Sequence, residues 1–547
     1  MTAPESIHGP AAVNPADLDI QSLHDSPSVE DEDDADVDVI PPHPLGVKPS
    51  GNALTATHNI RHAIGYLAAL SDELIIMLLE CLDSASLLRL GATCKALYAF
   101  THAEELWKAL FIENPPKSFT WRGTWHATYL NLPQSKVASP DCSHLYSDTL
   151  HRPFYCAHVF PSTYTSNIPA RNQIPRLPNL SLSEFQDSWS NRPFILTEPV
   201  KSWPVYRDWS STDTLLERYG DTVFRAEAVD WPLKNYVEYM NNNTDESPLY
   251  LFDRSFVEKM NLPTDPTNTT NTTNGTNTTN GTATTTADTD TTPAYTIPAP
   301  FASDLFTTLG PSRPDNRWLI LGPPRSGSTF HKDPNATSAW NAVLTGSKYW
   351  IMFPPHDPLT GHPLPPPPGV FVSADQSEVT SPLSIAEWLL GFHAEARKRG
   401  DCMEGICGAG EVLYVPSGWW HLVVNLGVSV AITQNFVPRG HLGDVLGFLK
   451  FKREQVSGFR KELLEENGGK GAFELFVEGL RGVEGGKEMV EEALRGLEEK
   501  RGRGKRKWDE VVRGVGEGEN GGVGDGENAG GGFSFGFEDD GSDVEVP

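Results

Sequence analysis

Three residues, His331, Asp333 and His421, carry the side chains that a metal centre needs, and their contexts suggest how they could meet. His331 and Asp333 stand two apart in Phe330-His331-Lys332-Asp333-Pro334. In a strand such residues project from one face, so an imidazole and a carboxylate would aim at one point, and Pro334 would end the strand there. Pairs of this kind are common by chance, so a third ligand is required. His421 offers one ninety positions later, in Val415-Pro416-Ser417-Gly418-Trp419-Trp420-His421, at the start of the apolar strand Leu422–Val424. Two histidines and one carboxylate leave positions open on iron, which is what an oxygenase needs to hold O2 and a bidentate cosubstrate. Zinc suits the pattern less well, because there is neither a His-Glu-x-x-His helix nor a pair of cysteine ligands.

Polar residues in phase with these strands extend the constellation. On Lys348–Phe353, Lys348 shares a face with Trp350 and Met352, which would direct its ammonium into an apolar interior. A buried lysine requires an anion, and a dicarboxylate cosubstrate is one. Taken alone, Lys348 reads more readily as a hairpin-end lysine whose head reaches water beside the turn Thr345-Gly346-Ser347. Thr433 and Asn435, two apart on Ala431–Phe436, add hydrogen-bonding groups on one face. A rival chemistry overlaps this region: Gly322–Thr329 nearly satisfies a P-loop and is similar to the phosphate loop of sulfotransferases. A Walker loop needs Lys where Ser328 stands, and a helix where His331 and Asp333 form a strand, so nucleotide binding is the weaker reading.

The elements that must position these residues are short strands. From about Trp121 the chain breaks into apolar runs punctuated by Pro, Gly and Asn: Phe194–Leu196, Leu249–Phe252, Trp318–Leu321, Tyr349–Phe353, Val412–Val415 and Val430–Thr433. That pattern indicates an all-β sandwich or barrel with accessory helices. The Thr/Asn-rich tract at 264–292 cannot support a core and reads as an inserted loop. Upstream, Leu70–Phe111 repeats apolar residues at helical spacing (Leu74, Met77, Leu78; Leu87, Leu88, Leu90; Leu97, Phe100; Leu106, Trp107, Leu110), with Ser71 and Ser84 as N-caps and Trp107 as an anchor. After Pro438 a helical pattern returns through Val445, Leu449, Val456, Leu463 and Leu464.

The 547 residues suffice for two or more domains, while 48 Gly, 44 Pro and 38 % apolar residues imply long unfolded stretches. The net charge of −28, concentrated partly in Glu30–Asp38 and Glu517–Glu545, argues against sequence-specific nucleic-acid binding driven by phosphate contacts. It is compatible with a basic protein substrate. Six cysteines without a Cys-x-x-Cys pair imply neither a zinc module nor a disulfide framework. No signal-like start and no membrane-length apolar run is present, which suggests an intracellular, soluble protein with no membrane partner. The Asn-x-Thr triplets beginning at Asn268 are then low-complexity sequence rather than glycosylation sites.

Two resemblances rest on these residues. Leu70-Ser71-Asp72-Glu73-Leu74, Leu87-Leu88-Arg89-Leu90 and Cys94-Lys95 resemble an F-box, although the family's usual first Pro is replaced by Ala69-Leu70. F-boxes dock on the Skp1 adaptor of ubiquitin ligases, which implies such a partner for residues 70–111; the competing reading is a helical cap on one side of the oxygenase. The second resemblance runs through Ser247-Pro248-Leu249-Tyr250, Gly322–Gly327, His331-Lys332-Asp333-Pro334, Thr337–Ala342 and Gly418-Trp419-Trp420-His421 to Phe436. Across roughly residues 185–440 these blocks resemble the Jumonji-domain-containing protein 6 branch of the Jumonji C family.

That second resemblance implies a mainly β chain with helices, built on a double-stranded β-helix (a cupin-like jelly roll). It would bind Fe(II) through His331, Asp333 and His421 and use 2-oxoglutarate and O2 as cosubstrates. The distal carboxylate of 2-oxoglutarate would pair with Lys348, supported by Tyr250, Asn341 and Thr433, by Ser328 where the family has a threonine, and by Asn435. The implied reaction is hydroxylation of a lysine, or demethylation of a methylated arginine or lysine, in a histone or another Lys/Arg-rich protein. The alternative is an F-box adaptor with a non-catalytic Jumonji C domain, against which all three ligands and the lysine are present. The expected division is a disordered acidic arm at 1–58, an F-box-like helical domain at 59–115, the oxygenase domain at 116–440, a helical region at 441–510 and a Gly-rich acidic tail at 511–547. The basic run Lys500–Lys507 suggests nuclear import; as a mere solvated helix end it would leave the protein cytoplasmic.

Overall fold

The computed structural model describes residues 40–263, 292–373, 378–382, 384–460 and 468–499. Residues 1–39 of the expected disordered arm at 1–58, residues 264–291 of the inserted tract at 264–292, Leu463 and Leu464, the basic run Lys500–Lys507 and the acidic tail lie outside the described residues. The rest of the expected arm is structured: Val47 is buried, Lys48 bridges to Tyr146, and Ser50–Thr55 is a short helix. The chain divides into two units, Met1–Pro42 and His43–Pro547, and every strand and helix named below belongs to the second.

Fifteen strands are described: β1 (Arg176–Leu177), β2 (Phe194–Leu196), β3 (Val223–Ala226), β4 (Val229–Pro232), β5 (Leu251–Asp253), β6 (Arg317–Gly322), β7 (Gly327–His331), β8 (Ser338–Thr345), β9 (Ser347–Phe353), β10 (Phe371–Val372), β11 (Val379–Thr380), β12 (Met403–Gly408), β13 (Glu411–Val415), β14 (Trp420–Asn425) and β15 (Ser429–Phe436). Nine of them form one sheet in the order β1-β2-β13-β8-β15-β6-β5-β3-β4, and β12-β9-β14-β7 form a second. The two sheets face each other across one apolar cluster, in which Ile195, Ala339, Val343, Leu413 and Val415 meet Trp350, Met352, Cys407 and Val423. Phe330, Tyr349, Ile351, Phe353, Leu422 and Val424 point out of the four-stranded sheet onto Trp388 and Leu389 of the helix Ile385–Lys398. Burial on both faces explains why these strands read as continuous apolar runs instead of alternating ones. The result is the expected jelly roll with flanking helices. The run expected at Leu249–Phe252 is paired only from Leu251.

Pro263 and Ala294, on either side of the inserted tract, are held together, Ala294 N donating to Pro263 O at 2.9 Å. After β15, the helix Leu442–Phe451 carries Val445 and Leu449 into a second core with the helix Ala472–Arg481, while Val456 falls beyond the first of these helices.

The upstream helices are α1 (Asp72–Glu80), α2 (Ser84–Gly91), α3 (Lys95–Thr101) and α4 (Glu104–Glu113). Ser71 caps α1, its hydroxyl accepting from Leu74 N, and Asp72 and Glu73 in the first turn complement the helix dipole. The cap of α2 is Asp83, which accepts from Ser86 N, and not Ser84; a carboxylate one residue earlier was the stronger signal. On α1 the buried face is Ile75 and Leu79, whereas Leu74, Met77 and Leu78 are exposed. Phe111 and Trp125 pack against Trp231 of β4, each pair 5.8 Å between ring centroids, so this helical segment and the nine-stranded sheet share one core. No single helix among the described residues is long and apolar enough to cross a membrane; Ile60–Ala69 and α1 reach that threshold only together, across a 76° bend.

Candidate active site

His331 ends β7 and His421 is the second residue of β14, and the register sets them directly opposite one another with ring centroids 4.1 Å apart. Asp333 lies beyond the end of β7, at the start of the turn Pro334–Ala336, so its carboxylate arrives from the turn and not from the strand face expected. One ligand atom from each of the three lies within 4.8 Å of the others, a spacing that can hold one metal ion. Each imidazole is tethered through Nδ1, to Thr329 O at 2.7 Å and to Trp419 O at 3.0 Å. A carbonyl can only accept, so Nδ1 carries the proton in each neutral ring and Nε2 keeps a free lone pair. Burial holds both histidines neutral: the His331 pKa is pushed down to about 4 by desolvation and by its neighbour His421, and that of His421 to about 4 by desolvation.

The carboxylate is in the opposite predicament. Burial lifts Asp333 to about 6. Its Oδ1 accepts from Asn435 Nδ2 at 3.4 Å, but its Oδ2 is buried without a partner. Asn435 also donates to Thr337 Oγ1 at 2.8 Å, which places it beside the metal ligands. Two neutral imidazoles and one carboxylate with an orphaned oxygen fit a divalent transition metal, which would provide the charge that the buried carboxylate lacks.

Lys348 occupies the other end of this interior. The hairpin-end reading is overturned: the side chain is 0 % exposed, because β9 is covered on both faces and gives the ammonium no path to water. Its Nζ donates to Tyr250 OH at 2.7 Å and to Asn425 Oδ1 at 2.8 Å. Desolvation lowers its pKa to about 7. Asn341 and Thr433 are register partners on β8 and β15; Thr433 Oγ1 donates to Trp340 O at 2.8 Å, and Asn341 Oδ1 is buried without a partner. Ser328 stands opposite Val423 because a register shift separates that pair from His331 and His421, and the shift turns both Ser328 and His331 toward the interior. A cationic end and a candidate metal end thus lie four register positions apart on the paired strands β9 and β14, where Lys348 faces Asn425 and Met352 faces His421.

Residues 184–440 match the family described as "Cupin-like domain", and residues 70–113 match "F-box-like". The arginine-specific demethylase JMJ22 of Arabidopsis thaliana is 38 % identical over 428 residues, covering 76 % of this chain and 77 % of that protein. This chain belongs to the Jumonji C family. Among its other relatives, the bifunctional arginine demethylase and lysyl-hydroxylase psr-1 of Caenorhabditis briggsae is 32 % identical over 49 % of this chain and 62 % of that protein. The 2-oxoglutarate and iron-dependent oxygenase JMJD4 of Homo sapiens is 26 % identical over 53 % of this chain and 64 % of that protein. The Jumonji C family implies Fe(II) and 2-oxoglutarate, and His331, Asp333 and His421 form a group that could hold a metal ion.

Membership in the Jumonji C family also explains the segment that mimics a phosphate loop. Gly322 ends β6 and Gly327 begins β7, so the segment is strand, turn and strand, with no helix at its end. A Cβ on Gly322 would lie 2.2 Å from Ser326 Oγ, 2.7 Å from Tyr250 Cδ2 and 2.9 Å from Asn425 Nδ2. The glycine therefore allows close packing behind the lysine. Ser326 and Asn425 escaped the sequence reading, although Asn425 carried a signal: it is in phase with His421 and Val423 on β14.

Proposed function

We propose that this chain is a protein hydroxylase whose hydroxylation step acts on a lysine side chain or on the N-methyl group of a methylated arginine or lysine. The observation that carries the proposal is the pairing, inside one barrel, of a half-buried histidine–carboxylate cluster having an orphaned Asp333 oxygen with a buried lysine that has no carboxylate partner among the described residues. Bound Fe(II) and 2-oxoglutarate supply oxidative decarboxylation of the keto acid, coupled to insertion of one oxygen atom from O2 into a C–H bond.

The chain's own residues bind and orient. His331, Asp333 and His421 hold the metal, with the Nδ1 tethers aiming both Nε2 atoms and Asn435 steadying Asp333. Lys348 and Tyr250 bind the distal carboxylate, with Asn341, Thr433 and Ser328 along the body of the keto acid. His421 and Asn425 stand four residues apart on one face of β14, roughly 13 Å along an extended strand, a gap that their side chains and a five-carbon dicarboxylate would fill.

The names of the relatives, with the net charge of −28, favour a basic protein as substrate, a histone among the possibilities. The finer division into helical domain 59–115, oxygenase domain 116–440 and helical region 441–510 is part of the same proposal, as is nuclear residence directed by Lys500–Lys507. The exposed Leu74, Met77, Leu78 and Leu88 favour docking of a Skp1-like adaptor on the helical segment. Such docking is compatible with catalysis by the barrel.

The test is succinate production from 2-oxoglutarate by the iron-loaded protein, with Lys- and methyl-Arg-containing histone peptides analysed by mass spectrometry. Gain of one oxygen on lysine supports hydroxylation, and loss of a methyl group supports demethylation. No succinate from the wild-type protein, or equal production by His331→Ala, would sink the proposal.

A further inference from the structure

Lys348 is aimed by neutral groups alone, and those groups are locked in place. Asn425 is 0 % exposed and is the last residue of β14. Its backbone is clamped twice to the turn that follows β6: Asn425 N donates to Ser326 O at 2.9 Å, and Arg325 N donates to Asn425 O at 3.0 Å. Its side chain is clamped to the same turn, Nδ2 donating to Ser326 Oγ at 2.9 Å. The Ser326 hydroxyl in turn donates to Pro323 O at 2.7 Å. That chain of donors has one polarity. Pro323 O takes the hydroxyl proton, so Ser326 Oγ must accept from the amide, and the amide must present its oxygen to the lysine. A flipped amide would set an NH2 group against an ammonium.

We propose that Asn425 is a positioning residue that selects a dicarboxylate: it orients the Lys348 ammonium while withholding the negative charge that would neutralise it, so that only an anion from outside completes the site. An aspartate of the same shape could accept the same hydrogen bond, and it would also satisfy the buried charge internally. Among the described residues no carboxylate forms an ion pair with Lys348, and its lowered pKa is that of a lysine whose partner is still to arrive. Gly322 belongs to this device, since any side chain there would strike Ser326, Tyr250 and Asn425 together.

The inference rests on the proposed reading of Lys348 as the cosubstrate anchor. It is tested by calorimetry on the full chain loaded with Mn(II), comparing 2-oxoglutarate with 2-oxopentanoate, which has the same length but no distal carboxylate. The wild-type protein should prefer the dicarboxylate strongly. Asn425→Asp should weaken 2-oxoglutarate by roughly tenfold or more and collapse the preference, because the lysine then has an internal counter-ion. Its Mn(II) affinity should stay close to wild type and its unfolding temperature without cosubstrate should not fall, because the new carboxylate meets the buried ammonium; a merely structural role would lower both. Ser326→Ala, which frees the amide to rotate, should fall between the two. Unweakened dicarboxylate preference in both variants overturns this inference alone, whereas failure of the wild-type protein to bind 2-oxoglutarate overturns the reading of Lys348 and this inference with it.

Discussion

Lys348 and Asp333 carry opposite charges, and among the described residues neither has an oppositely charged side chain that forms an ion pair with it, their hydrogen bonds coming from neutral groups. Because the Lys348 pKa lies at about 7 and a bound carboxylate raises it, 2-oxoglutarate binding must take up a proton above that pH. Affinity should therefore be flat below pH 7 and fall about tenfold per unit above it, until the raised pKa of the complex is reached. Calorimetry in buffers of different ionisation enthalpy should show the proton uptake directly; a flat profile to pH 9 would contradict it. At the metal end, a divalent ion relieves the buried carboxylate, so chelation should lower the unfolding temperature. Saturating metal at a hundredfold above its Kd corresponds to about 2.7 kcal/mol. Asp333→Asn should remove most of that metal-dependent shift, as differential scanning fluorimetry would show.

A third charge is satisfied. Burial alone would raise the Glu404 pKa, but hydrogen bonds from His393, Tyr349, Arg397 and Asn172 outweigh it and hold the carboxyl at about 2, below its ordinary 4.5. A depressed carboxyl stabilises the fold above its unfolded pKa and loses that contribution as pH falls toward the folded value. Stability should thus drop between about pH 5 and pH 2, and Glu404→Gln should cost about 3 kcal/mol at pH 7 and flatten that acid limb in urea titrations.

At the scale of elements, the site depends on the pairing of β7 with β14. A Cβ on Gly327 would lie 2.0 Å from Val423 O, inside the very pairing that sets His331 opposite His421. Gly327→Ala should cost about 1–3 kcal/mol in denaturant unfolding, as an overpacked contact does. It should weaken metal binding as well, whereas Gly391→Ala, where a Cβ meets open space on an exposed helix face, should do neither. Equal metal affinity in both variants would show that the register is not what sets the histidines.

At the scale of the whole molecule, the F-box-like helices are part of the oxygenase's core. Phe111, Trp121 and Trp125 pack with Trp231 and Tyr239, and Trp125 Nε1 donates to Asp245 at 2.9 Å. Removing residues 59–115 would strip Phe111 from this cluster and leave aromatic surface open to water. The truncated chain should be aggregation-prone and lose cooperative unfolding. Leu74→Asp with Leu78→Asp, on the exposed face of α1, should leave the unfolding transition unchanged. Light scattering and circular dichroism distinguish these outcomes. An adaptor docked on α1 would, by the same fusion, sit at a fixed orientation relative to the barrel.

The sequence by itself determined which side chains could ligate a metal, because residue type and spacing alone put His331, Asp333 and His421 among short apolar strands. Type also identified Ser71 as a cap. What it left open were matters of long-range contact. Burial on both faces of β9, which decides that Lys348 has no route to water, comes from strands and a helix distant in the chain. Asn425 acquires its role only because its strand ends against the turn holding Ser326, 99 positions away. The packing of α4 on β4 pairs Phe111 with Trp231, residues with no local pattern in common. Periodicity reports which face of an element is apolar; only the tertiary structure decides what that face meets.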